Sequence, residues 1–192
     1  MNKINKATYD LVKKWEGYYD KAYLCPAGVW TIGWGHTSNV KKGDTCTVKQ
    51  AEKWLQEDLE DSANYVSRYI QVPLNDNQFG ALVSACFNIG PKIVNPSSST
   101  LARKLNEGDY DAVPGQLGRW SKAKDPETGK MVTLKGLSNR RKDEGVLWNT
   151  PTSDEIEKEE KEPIKVLTPE EPPIATFLKN LIKLFNIKPR NK

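Results

Sequence analysis

A chain of 192 residues has room for one folded core and an appendage, and its net charge of +4 suits a polyanionic substrate. The same charge would suit nucleic acid, but no recognition-helix, zinc-ligand or RNA-binding motif accompanies it, so that class is set aside. Three cysteines, at 25, 46 and 86, make neither metal spacing nor an even disulfide framework, and no N-terminal apolar run is long enough for a signal peptide or membrane span; reduced thiols and cytoplasmic synthesis are expected, with a Cys46–Cys86 bridge after export left open.

In chain order, Ala7 to Trp15 places Leu11, Val12 and Trp15 at helical spacing, with Lys13 and Lys14 off that face. Glu16 falls at the end of this helix and Gly17 supplies the stop. Tyr18, Tyr19, Ala22, Tyr23 and Leu24 suit a strand, Pro26-Ala27-Gly28 a turn, and Val29 to Trp34 a second strand. A hairpin leaving the helix end can bring Glu16, Cys25 and Thr31 to one cleft wall. Gly33 and Gly35 allow close approach of a ligand or another backbone. Thr47 to Tyr69 carries Ala51, Trp54, Leu55, Leu59 and Val66 on one face of a long amphipathic helix. Asn77 to Gly90 is a buried helix through Phe79, Leu82, Val83, Cys86 and Phe87, stopped at Gly90-Pro91. Pro96 to Ser99 is a loop between that helix and shorter ones at Thr100–Leu105 and Asp109–Leu117. Ser138 can cap a last helix on which Leu137, Arg141, Glu144 and Trp148 follow 3.6-residue spacing; its plain reading is a solvated basic helix.

The end of the chain changes character twice. Pro151 to Pro173 sets eight acidic residues against three lysines and holds five prolines, which predicts an extended, solvated linker, with a helical turn around Asp154–Lys161 as the alternative. Residues 174–192 carry five cations and no acid. Ile174, Phe177, Leu178, Leu181, Ile182 and Phe185 form one apolar stripe, with Lys179 and Lys183 on the other side. About fourteen residues reach ~21 Å as a helix, short of a ~30 Å hydrocarbon core. The stripe therefore either docks on the folded core or lies on an anionic surface such as an outer membrane, with Phe177, Leu178, Lys179, Leu181, Ile182, Lys183 and Phe185 as the contacting residues.

Chemistry concentrates in Glu16-Gly-Tyr-Tyr-Asp-Lys-Ala-Tyr-Leu-Cys25-Pro-Ala-Gly-Val-Trp-Thr31-Ile-Gly-Trp-Gly-His-Thr37. Singly, a glutamate at a helix end is usually solvated, a cysteine is usually a small buried hydrophobe, and a strand threonine has no special role. Together they resemble the catalytic region of the phage-type lysozymes, endolysins of glycoside hydrolase family 24. That family has Glu, then Asp or Cys, then Thr at this spacing, before Thr-Ile-Gly-x-Gly-His. Phe87-Asn88-Ile89-Gly90 and the Arg119 to Trp148 segment extend the resemblance to about residue 150.

The resemblance implies an α+β, mainly helical, two-lobed lysozyme-like fold with a small N-terminal antiparallel sheet, in a catalytic domain at 1–150; the linker at 151–173 and the amphipathic helix at 174–192, read from charge, proline content and apolar spacing, depart from that core. It implies Glu16 as general acid, Cys25 where most relatives have aspartate, and Thr31 as a holder of the attacking water. Phe87 and Thr37 match substrate-touching positions. The family inverts, which predicts a gap of roughly 6.5–9.5 Å between the flanking groups. The implied activity is a muramidase acting on the β-1,4 bond between N-acetylmuramic acid and N-acetylglucosamine in peptidoglycan. No cofactor or metal is implied. The expected protein is a monomer, made in the host cytoplasm and released to the wall by a holin-like pore-former. The alternatives are a lytic transglycosylase on the same bond and a non-catalytic protein that permeabilises membranes through its terminal helix.

Overall fold

A computed structural model describes residues 2–25, 28–125 and 128–161, and the chain divides into two units, residues 1–153 and 154–192. The apolar stripe at 174–192, with Phe177, Leu178, Lys179, Leu181, Ile182, Lys183 and Phe185, lies outside the described residues.

The first unit opens with α1 (Lys6–Glu16), capped by the Asn5 side chain, which accepts from the Thr8 amide. Gly17 ends it at φ 68°, its amide donating to the Lys13 carbonyl. This stop makes Glu16 the last helical residue and turns the chain into the hairpin of β1 (Tyr19–Leu24) and β2 (Trp30–Gly33). Tyr23 pairs with Thr31 and Tyr19 with Gly33, so β1 bulges between Tyr19 and Tyr23. On its other edge the middle of β1 pairs with the loop that follows, the Ala22 amide donating to Asp44 O and the Cys46 amide to Asp20 O. After β2 the chain reverses through Gly33 (φ 65°) and Gly35 (φ 90°), closing with an Ile32–His36 bridge. A Cβ on Gly33 would lie 2.9 Å from the Ala51 Cβ; its absence seats the hairpin on the next helix.

That helix, α2 (Val48–Tyr69), starts with a capping box between Thr47 and Gln50 and buries Ala51, Leu55, Leu59, Ser62 and Val66 along one face. α3 (Asp76–Ile89) has the same device in Asn75 and Gln78 and is buried from Phe79 to Cys86. It is the central helix, in contact with α1, α2 and α6. The α1 contact is close because Gly80 faces Thr8: a Cβ at 80 would come within 1.9 Å of the Thr8 hydroxyl oxygen. α4 (Thr100–Asn106), α5 (Ala112–Gly118) and α6 (Lys135–Asn149) enclose the rest of the core around Leu82, Ile93, Leu101, Leu105, Val113, Leu117 and Trp148. The chain is mainly helical with a small N-terminal antiparallel sheet, as the sequence predicts.

Four expectations need correction. A second hairpin, β3 (Lys122–Lys124) against β4 (Met131–Thr133), was not anticipated. Its strands have three residues each and half-bury only Ala123 and Val132, too little alternation to register as strand. Ser138 is not a cap: α6 begins at Lys135, and the Ser138 amide already donates to the Leu134 carbonyl. Nor is α6 a solvated basic helix, since Arg140, Arg141 and Glu144 are all buried. Finally, the stretch expected as an extended linker opens as a nine-residue helix, α7 (Ser153–Lys161), with Asp154 and Glu155 in the first turn where the helix dipole favours acids. No disulfide joins Cys46 to Cys86; Cys86 is buried, and burial pushes its thiol up to about 11. Among the described residues, no helix is long and apolar enough to cross a membrane.

Candidate active site

Glu16 sits where α1 ends, and α6 holds that end. The Trp15 indole donates to Asp143 Oδ2 at 3.0 Å, and the Lys14 ammonium reaches the same oxygen at 2.7 Å. Arg140, also on α6, donates through Nη1 to Glu16 Oε1. The Glu16 side chain retains about 20% of its exposure, whereas that of Arg140 retains 4%. The carboxylate is thus presented at a surface by a cation buried behind it.

Its other oxygen faces Gly35. A Cβ at that position would lie 3.1 Å from Glu16 Oε2 and 3.4 Å from Phe87 Cζ. Glu16, the bare backbone of Gly35 and the half-buried ring of Phe87 therefore converge. Trp15 is engaged with Asp143. Tyr18 packs on Trp34 with ring centroids 5.0 Å apart and donates its hydroxyl to the Cys46 carbonyl, while Lys13 covers the Trp34 ring at 4.4 Å.

Cys25 follows β1 directly. It is half-buried, and its amide donates to Val29 O at 2.9 Å, closing the hairpin turn. Thr31 is 5% exposed and donates its hydroxyl to the Val29 carbonyl at 3.1 Å. Tyr23 ties these groups together. It pairs with Thr31 across the hairpin, and its phenol is held above its usual value first by burial and then by the charges of Tyr19, Glu16 and Cys25. Thr37 is exposed two residues past Gly35, its carbonyl accepting from the Val40 amide at 3.5 Å. The structure thus brings Phe87 to Glu16, sets Cys25 and Thr31 around Tyr23, and leaves Thr37 on the outer loop. That loop is anchored by His36, whose Nδ1 lies 2.8 Å from Asp58 Oδ2 and whose ring stacks on Trp54 at 4.8 Å. Burial pushes the Asp58 carboxyl up, against the opposing pull of His36.

Behind Glu16 lies an ionic array that the sequence reading missed. Glu144 Oε1 accepts from Ser84 Oγ at 2.9 Å and from Arg141 Nη2 at 2.8 Å, and Arg141 Nη2 also donates to Asn88 Oδ1 at 3.1 Å. Burial pushes Glu144 up and Arg141 down, and the opposite charges of Arg140 and Arg141 pull Glu144 back. A signal was available: Arg141 and Glu144 share the helical stripe of Leu137 and Trp148, so charged residues occupy core positions of an apolar face. Among the described residues, no group of three or more His, Cys, Asp or Glu side chains is set to hold a metal ion.

Comparison with known proteins identifies the family. Residues 13–144 match the family described as phage lysozyme. An endolysin of Acyrthosiphon pisum secondary endosymbiont phage 1 is 44% identical over 140 residues, spanning 73% of this chain and 93% of that one. An endolysin of Salmonella phage P22 is 38% identical over 133 residues, spanning 66% of this chain and 90% of that one. The solved muramidase domain of SpmX from Asticaccaulis excentricus shares 35% identity at a TM-score of 0.72, covering 79% of this chain and 100% of that one.

Proposed function

The chain belongs to the phage lysozyme family, and from that premise we propose how it works as an endolysin, a muramidase that hydrolyses the β-1,4 bond between N-acetylmuramic acid and N-acetylglucosamine in bacterial peptidoglycan and so lyses the host. Glu16 is the general acid that protonates the bridging glycosidic oxygen. Cys25 and Thr31 hold the attacking water on the other side of the sugar. A hydroxyl that donates to the Val29 carbonyl keeps acceptor lone pairs with which to orient that water. Phe87 and Thr37 contact the glycan.

The observation that carries this reading is the convergence at Gly35, where the partly exposed Glu16 carboxyl, held by Arg140, lies so close to bare backbone that an added Cβ would sit 3.1 Å from its free oxygen. A sugar oxygen brought against that bare backbone meets the acid directly. The relatives, named as endolysins and a muramidase domain, do not favour the lytic transglycosylase or the non-catalytic permeabilising protein. Mass spectrometry of digested wall tests the proposal. Wild type should release products that have gained water, and Glu16→Gln should slow their release by about 10²–10⁴-fold. Anhydro-sugar products would instead identify a transglycosylase, and undiminished lysis by the variant would remove Glu16 from the chemistry.

Release toward the wall by a holin-like pore-former belongs to the same proposal, as does the binding of residues 174–192 to an anionic outer-membrane surface. For the first, host lysis should be delayed when the enzyme is expressed without a pore-former.

A further inference from the structure

The least exposed acid of the described residues lies behind Glu16. Glu144 on α6 has no solvent exposure, yet it lies between two arginines that reach Glu16 and Asn88. Its Oε1 is 3.4 Å from Arg140 Nε and 2.8 Å from Arg141 Nη2, and its Oε2 is 2.7 Å from Arg141 Nε. Ser84 of α3 donates to Oε1 at 2.9 Å, and the Ser84 carbonyl takes Arg140 Nη2 at 3.5 Å. From this hub, Arg140 extends to Glu16 at the end of α1, and Arg141 extends to Asn88, exposed at the end of α3.

We propose that Glu144 is a positioning residue of the muramidase: by anchoring Arg140 and Arg141 it fixes the acid Glu16 and Asn88 at the end of α3 relative to one another and divides the charge that Glu16 faces. The inference rests on Glu16 being the general acid. Stability alone does not account for the array, because replacing a buried ion cluster with apolar residues of similar volume is often neutral or stabilising. A cluster whose two ends terminate at Glu16 on α1 and at Asn88 on α3 is accounted for by what it holds.

The charge argument has a sign. Arg140 is shared between Glu16 and Glu144, and Arg141 between Glu144 and Asn88. The groups facing the cluster are Glu16 from α1, Ser84 and Asn88 from α3, and Tyr23 from β1 beside Glu16; α5 presents Pro114 against Gly145. The Lys14–Asp143 pair lies on the same α1–α6 seam. Removing the Glu144 charge leaves Glu16 facing an undivided cation, which favours its ionised form. An acid that ionises more readily is lost as a proton donor at lower pH.

The test is the pH–rate profile of wall hydrolysis by the full chain. Wild type and Glu16→Gln are measured first: if the variant keeps wild-type activity, the reading of Glu16 as the acid fails and not this inference. With an active wild type, Glu144→Gln should move the alkaline limb down by about one pH unit and lower kcat by about tenfold. Glu144→Asp should restore the limb. Val113→Ala, a core truncation on α5, should lower Tm without moving the limb. If Glu144→Gln does not fold, Ser84→Ala decides, since it removes one anchor and keeps the charge: kcat should fall several-fold with the limb in place. A Glu144→Gln enzyme with the wild-type limb, or a Ser84→Ala enzyme with wild-type kcat, overturns the proposal.

Discussion

At Gly35 one missing side chain serves backbone conformation and active-site access together. Its φ of 90° already disfavours any L side chain, by roughly 1–2 kcal/mol, and an added Cβ would press on Glu16 Oε2 and Phe87. Gly35→Ala should therefore lower activity by more than its lost stability explains, by about 10²-fold, because small displacements at a proton-transfer site are costly. Wall-hydrolysis kinetics at a temperature well below the measured Tm separate the two effects. Cys25 poses a different question at the same scale. A thiol ordinarily titrates above neutral pH and is mostly uncharged at pH 7, whereas an aspartate in its place would be charged. Cys25→Asp should keep activity within about tenfold of wild type, while Cys25→Ala should lose about 10² or more if the sulfur manages the attacking water. Equal activity in Cys25→Ala and wild type would leave Thr31 alone in that role.

Among the elements, α1 matters most, because it delivers Glu16 and is held from two sides. Gly80 of α3 lets Thr8 in, and α6 grips the far end through Asp143 and Arg140. Gly80→Ala should force α1 away from α3 and cost about 1–3 kcal/mol, as overpacking does, which for a chain of this size is several degrees of Tm. Thr8→Ala in the same chain should recover part of that loss. Destabilisation that Thr8→Ala leaves untouched would mean the clash is relieved elsewhere. The helices involved were legible because Val12, Leu55, Leu59 and Val66 recur at helical spacing and Gly17 and Gly90 punctuate the ends. The spacing of Glu16, Cys25 and Thr31 is also local, within one hairpin's length, while the roles proposed for them come from the family resemblance. The Arg140–Glu144 array was not, because a charged residue reads as surface until its partner is known, and Ser84 and Glu144 are sixty positions apart. The β3–β4 hairpin was missed because its strands are too short for alternation to show.

For the whole molecule, the distribution of buried thiol and phenol groups predicts an alkaline weakness of the fold. Cys86 lies in the core on α3 with its thiol held up at about 11 against an ordinary value of 9.0. The folded state therefore binds more protons than the unfolded chain between those values, and stability falls as pH rises through them. The loss should approach about 1–2 kcal/mol by pH 10 to 11, and Cys86→Ala should flatten that part of a Tm-against-pH curve while lowering its overall height through the lost packing. Tyr9 and Tyr23, both raised by burial, add a residual slope in the same direction. A curve for Cys86→Ala parallel to wild type from pH 9 to 11 would show that the thiol is not the titrating group.

The division of the chain after Ser153 sets the last question, whether cutting the wall and reaching it belong to separate parts. The groups assigned to the reaction, from Glu16 to Glu144, fall within the first unit, which holds the buried core of the described residues. The segment 174–192 carries five cations and one apolar stripe, a composition that gains binding energy at an anionic interface from both its charge and its buried apolar area. If the two roles are separate, a chain shortened before residue 174 should digest purified wall at the wild-type rate. The same chain should lose most of its lysis of intact cells from outside, and that loss in the wild type should be reproduced by raising the salt concentration, which screens surface charge. Parallel loss on both substrates would place the segment against the catalytic unit instead, since a helix docked on the core would contribute to the stability on which all activity depends.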